Sequence, residues 1–214
     1  TAADDPMPVT DNAIGFAPHP PLLVPEVASG AAVELDDLRV ACDQLVADLV
    51  SSSDSMILLG SGQGIELGRW LLRRNDWSGP LVELVAPEHG EPLPDHIAAA
   101  IASEDRVAVL AMGDGSACRT EKAPGYLDDR SIDFDNSVAD ALTAVDAATL
   151  MNLDQQLATE LLVAGRYVWP IAARIVETDS GNWRGELRYR DDPYGVSYFV
   201  ALWTSVGIPS TTGP

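Results

Sequence analysis

Lysine is almost missing from this chain: Lys122 is the only one in 214 residues, and 13 Lys plus Arg stand against 33 Asp plus Glu, a formal net charge of -20. Binding a phosphate backbone needs clustered Lys and Arg, so nucleic acid is excluded as an expected partner. An acidic surface chiefly confers solubility. The one basic cluster, Arg69, Arg73 and Arg74, falls in the last turns of a predicted helix, where cations complement the helix dipole. Cysteine is scarce too; Cys42 and Cys118 are too few for a disulfide framework, which fits a reducing compartment. No apolar run approaches the roughly 18 to 20 residues of a membrane span, and the opening TAADDPMPVTDN is acidic and polar, unlike a signal segment. The expectation is a soluble, cytoplasmic protein with no membrane partner.

What is present is a core. Apolar residues make up 46% of the chain, enough at this length for one α/β domain. Short apolar runs at Ala13 to Ala17, Met56 to Leu59, Leu81 to Val85 and Arg106 to Met112 read as strands. Between them lie helical patterns: Leu35, Leu38, Cys42, Leu45, Val46 and Leu49; then Ile65 to Arg74; then Pro94 to Ser103. This alternation predicts an α/β fold, a mostly parallel central sheet with helices on both faces, whose four strands deliver four loops to one edge. Further helices are expected over Phe134 to Val145, over Leu150 to Ala164, where Gly165 stops the second, and over Val168 to Val176, whose Pro170 suits a first turn. Two strands, Gly185 to Arg190 and Val196 to Trp203, close the chain around a turn at Asp191, Asp192 and Pro193. A single domain over 12–204 is expected, with loosely held tails at 1–11 and 205–214.

The stretch GDGSACRTEKAPGY, Gly113 to Tyr126, has the build of a catalytic loop. It places Asp114, Ser116, Thr120 and Glu121 just past a strand, where ligands bind in open α/β sheets. It holds no histidine, and its strong nucleophile candidate is Cys118, whose thiol Arg119 would activate by lowering its pKa. His19, in APHPPLLVPE, ends the first strand between prolines that fix the backbone; such rigid presentation suits a metal ligand or base, although an isolated histidine is more often a hydrogen-bonded turn residue. His89 lies on the same predicted edge with Glu88 and Glu91, whereas His96, at a helix start, reads as a surface residue. In GSGQG, Gly60 to Gly64, a tight turn competes with a phosphate cradle at a helix N-terminus, with Glu83 following on the next strand as the ribose acid; the third glycine comes one position too soon for that fingerprint.

Taken in order, these segments resemble the LigB-like superfamily, that of the catalytic subunit of class III extradiol ring-cleavage dioxygenases. GDGSACRTEKAPGY is similar to the family's GDLSHRLTPDAPAGYD-type segment and APHPPLLVPE to its N-terminal histidine motif. Phe134 to Ile171 resembles its helical segment, and RYRDDPYGVSYFVALW, Arg188 to Trp203, its closing YEGPFGVGY-type strand. The resemblance implies non-haem iron(II) held by two histidines and a glutamate, with another histidine as acid or base. His19 matches the first ligand. The second would fall within Gly60 to Gln63, which has no histidine; the glutamate falls on Asp191, or on Asp192 if the register slips; the acid/base position is Ala117.

One imidazole and a shortened carboxylate hold iron(II) weakly, and losing a general acid/base removes roughly a hundredfold or more in rate. The expectation is therefore a divergent LigB-like protein, with no metal or a weakly bound divalent ion such as iron or zinc. It would bind a small, aromatic-type molecule or a protein partner in the ancestral cleft, through His19, Ser61, Gln63, Asp114, Ser116 and Asp191, without ordinary ring cleavage. Two alternatives stand beside it. One is a metal-dependent oxidoreductase rebuilt on His19 with His89 or Glu88, or an enzyme using Cys118 as nucleophile. The other is a nucleotide-binding protein using Gly60 to Gly64. Homodimerisation is the default assembly.

Overall fold

The computed structural model describes residues 12–28, 33–87, 93–101, 106–178 and 181–206. In chain order the elements are β1 (Asn12–Ala17), α1 (Pro25–Ala28), α2 (Asp36–Ser52), β2 (Ser55–Gly60), α3 (Gly62–Arg74), β3 (Leu81–Val85), α4 (Asp95–Ile101), β4 (Val107–Met112), α5 (Arg130–Ala144), α6 (Ala147–Met151), α7 (Gln155–Glu160), α8 (Val168–Thr178), β5 (Asn182–Asp191) and β6 (Tyr198–Val206). The six strands form one sheet in the order β3-β2-β4-β1-β6-β5. The first four strands of the chain run parallel. β6 is antiparallel to both β1 and β5, so the closing hairpin completes the sheet by adding to β1.

Side chains alternate across each strand and supply two cores, as period-two geometry requires. Ile14, Phe16, Ile57, Leu59, Val109 and Ala111 pack with Val138 and Leu142 of α5 and Ile171 and Ile175 of α8. Ala13, Ala17, Met56, Leu58, Leu110 and Met112 pack with Leu45 and Leu49 of α2 and Ile65 and Leu71 of α3. Helices thus cover both faces, and β4, apolar at all six positions, is buried throughout. On the first face Trp203 meets Phe16 edge-on at 4.8 Å and donates its indole N–H to the Leu142 carbonyl at 2.6 Å. No helix among the described residues is long and apolar enough to cross a membrane.

Two expectations need correction. The single helix expected over Leu150 to Ala164 is two short ones with a 3-10 turn at Ala164–Arg166. The break comes at Asp154, whose carboxylate accepts the Leu157 N–H and so caps a new helix, a role that competes with continuing the old one. The last strand also runs further than Trp203, because Thr204 pairs with Ala13 and Val206 with Asn182. Part of the expected loose tail is therefore strand; residues 1–11 and 207–214 lie outside the described residues.

The topology makes one crevice. β1 and β4 are parallel neighbours, yet β1 feeds α2 in one core and β4 feeds α5 in the other. Loops that leave adjacent strand ends toward opposite faces open a cleft between them, which is where such sheets bind ligands.

Candidate functional site

His19 and Asp114 stand at that crevice. The β1–β4 register pairs Ala17 with Met112, and extending it sets His19 opposite Asp114. The ladder continues with a side chain in place of backbone: the His19 N–H donates to Asp114 Oδ1 at 2.7 Å. His19 Nδ1 lies 3.3 Å from the same oxygen, buried and out of line for a second hydrogen bond. Burial pushes the Asp114 carboxyl above the usual carboxylate range, and His19 opposes that shift. Extending the β1–β6 register adds Tyr198 on the other side of His19. Burial, then Asp114 and two neighbouring tyrosines, push its phenol up.

From β2, Ser61 caps α3, its hydroxyl accepting the Gly64 N–H at 3.3 Å. Gln63 donates its Nε2 to the His19 carbonyl at 3.0 Å. A carbonyl only accepts, so this bond fixes the amide orientation and leaves Oε1 as the outward atom. Beside His19 opens a cavity of about 360 Å³. Its helical wall is Gln63, Glu66, Leu67 and Trp70, at i, i+3, i+4 and i+7 on one stripe of α3; the opposite wall is Pro21, Val24 and Val27. The size lies within the range of small-molecule sites, about 300–1,000 Å³, and the lining has their usual make-up, mostly apolar with a few placed polar groups.

Further along the Gly113 to Tyr126 loop, the buried polar groups are bonded to one another. Asp135, buried on α5, accepts the Ser116 N–H at 3.0 Å and the hydroxyls of Ser116 and Ser197, and Arg119 Nε stands 3.9 Å away. Gly115 and Ser197 also bond backbone to backbone: the Gly115 N–H donates to the Ser197 carbonyl at 2.7 Å and the Ser197 N–H to the Ser116 carbonyl at 2.8 Å. A Cβ on Gly115 would come within 2.7 Å of Ser197 Cβ, so this contact requires glycine. Ser116 therefore braces the loop against β6. The Cys118 thiol is buried and pushed up by desolvation and by Asp128 and Asp135, with Arg130 opposing. Arg119, expected to activate that thiol, instead bonds Asp192 at 2.7 Å.

The implied iron site can be tested on donor chemistry. His19 Nδ1 is turned into Asp114, and the position for a second histidine holds a helix cap and an amide bonded to backbone. Asp191, paired with Tyr198, lies two strands from His19, about 10 Å at neighbouring-strand spacing. It is exposed and accepts its neighbour's N–H at 2.8 Å. Among the described residues no three His, Cys, Asp or Glu side chains come together to hold an ion, so these residues do not fit the two-histidine, one-carboxylate centre. His89, Glu88 and Glu91 lie outside the described residues, and His96 is exposed on α4.

The glycines after β2 have a packing role. A Cβ on Gly68 would lie 2.3 Å from a Leu58 methyl, and one on Gly64 3.1 Å from Met112 Cβ. Glu83 sits within β3, not at its end, and is held bidentately by Arg69. Close seating of α3 on the sheet accounts for Gly60, Gly64 and Gly68, whereas Gly62 has open space around its missing Cβ.

Sequence reasoning missed Glu66, Trp70, Val24 and Val27 as cavity lining, and Asp135 as the hub of the loop. Both had a signal. The α3 stripe follows from Gln63 by helical spacing, and Asp135 is the acid on the apolar stripe Ser131, Val138 and Leu142. Comparison with family models and with curated proteins finds no match for the chain.

Proposed function

We propose that this chain is a divergent LigB-like protein that binds a small organic molecule with an apolar, aromatic-type body in the cavity beside His19, and that it does not perform ordinary extradiol ring cleavage. The observation that carries the reading is the placement of a cavity of about 360 Å³ at the ends of β1 and β2, with His19 fixed from behind by Asp114 and from the side by Gln63. Trp70, Leu67, Val24 and Val27 supply apolar walls for a ring. The absence of ring cleavage is supported by the donor set, since the residues around His19 are engaged with one another.

The geometry gives His19 a positioning task. Its Nδ1 stands 3.3 Å from the Asp114 carboxylate without a bond in line, and the ring lines the cavity. Two measurements test the reading. Small aromatic probes should quench tryptophan fluorescence in the native protein and lose that effect in Trp70→Phe; failure of every probe to bind would overturn the cleft. Protein reconstituted anaerobically with iron(II) and then given catechol and dioxygen should form no ring-opened product. Steady formation of that product would overturn the second half.

A further inference from the structure

Two polar groups of this cavity ask for the same thing. Gln63 keeps Oε1 as its free amide atom because its Nε2 is bound to the His19 carbonyl, and Glu66 adds a carboxylate on the same helical stripe. No lysine or arginine is among the lining residues described. Three guanidinium groups of this region are engaged elsewhere: Arg69 by Glu83, Arg74 by Asp43, and Arg39 by Asp36 and the carbonyls of Leu22 and Leu23. Two acceptors, one of them charged, beside an indole and aliphatic walls select against anions and favour a donor-rich cation on an apolar body.

We propose that the ligand class is a hydrophobic amine, its ammonium group bound by Glu66 and Gln63 Oε1 and its apolar body lying against Trp70, Leu67, Val24 and Val27. This rests on the cleft reading above and narrows it. A carboxylate or phosphate ligand would bring negative charge beside Glu66, whereas a charge-assisted hydrogen bond favours the ammonium by roughly 1.5–3 kcal/mol, or on the order of tenfold or more in affinity.

The test compares three probes of one shape, 2-phenylethylammonium, 2-phenylethanol and 3-phenylpropionate, by calorimetry at physiological ionic strength. The amine should bind on the order of tenfold tighter than the alcohol, with the carboxylate weakest. Glu66→Gln should bring amine and alcohol close together, while Glu177→Gln, an equal loss of charge at an exposed position of α8, should leave the preference intact; this separates a local effect from the attraction of a net charge of -20. Alcohol binding as tightly as amine, or a preference that Glu177→Gln removes as well as Glu66→Gln does, overturns the amine assignment and leaves the cleft standing. If none of the three binds, cleft and assignment fall together.

Discussion

One oxygen of Asp114 serves His19 twice: Oδ1 accepts the His19 backbone N–H at 2.7 Å and faces its Nδ1 at 3.3 Å. The carboxylate thereby replaces the next rung of the β1–β4 ladder and orients the imidazole, joining sheet structure to the cavity wall.

That arrangement predicts an unusual pH dependence. Burial raises the Asp114 pKa in the fold, whereas the unfolded chain ionises near ~3.9. Over the interval between these values the folded state keeps a proton that the unfolded state loses. The stability owed to this group is full below the unfolded pKa and declines as pH rises through the folded one. Asp114→Asn keeps an oxygen for the His19 N–H and removes the titration. Urea unfolding at a series of pH values should show the variant gaining on the wild type as pH rises above the unfolded value near ~3.9. A difference independent of pH would contradict the buried-carboxyl account.

Asp135 of α5 should matter more to stability than any residue of the loop it holds. It satisfies two hydroxyls and one backbone N–H, and stands beside Arg119. Asp135→Ala leaves these donors buried and unpaired, at a cost on the order of 3–5 kcal/mol. Ser116→Ala removes a single bond and should cost about 1 kcal/mol, with probe affinity in the cavity unchanged. Loss of probe binding in a folded Ser116→Ala variant would return Ser116 to the site.

Two glycines of α3 separate packing from ligand approach. Gly68→Ala drives a methyl into Leu58, which is fully buried, so overpacking should destabilise by roughly 1–3 kcal/mol. Gly62 has open space around its missing Cβ at the start of α3, so Gly62→Ala should stabilise by roughly 0.4–1 kcal/mol through the unfolded chain. Chemical denaturation of the two variants measures both signs. Adenine nucleotides should give no thermal shift with the wild type; a shift that Gly62→Ala abolished would revive the phosphate cradle.

Sequence pattern carried the sheet well, because β1 to β4 are short, mainly apolar runs bounded by proline, glycine or polar residues, and β1, β2 and β4 pack on both faces. It carried His19 and Gln63 to the right edge for the same reason, since parallel strands put their C-terminal ends together. It failed where a side chain's partner lies far along the chain. Ser116 read as exposed chemistry because nothing local reveals Asp135 below it, and Arg119 read as a thiol activator because sequence adjacency to Cys118 concealed the pull of Asp192. The helix break at Asp154 was missed because apolar spacing continues across it while the capping bond to Leu157 is made by one carboxylate.

The cysteines supply the last prediction. Cys42 is buried on α2, where desolvation and then Asp43 and Asp114 raise its thiol far above the ordinary range. Cys118 is raised by desolvation and by Asp128 and Asp135, against a smaller opposing effect of Arg130. The thiolate is the reactive form, so both groups should be inert in the folded protein at mildly alkaline pH. A disulfide-exchange reagent at pH 8 should label neither residue natively and both in guanidinium. Native labelling of Cys118 faster than a free model thiol would require a low-pKa thiolate. That rate would overturn its place here as core and restore it as a nucleophile.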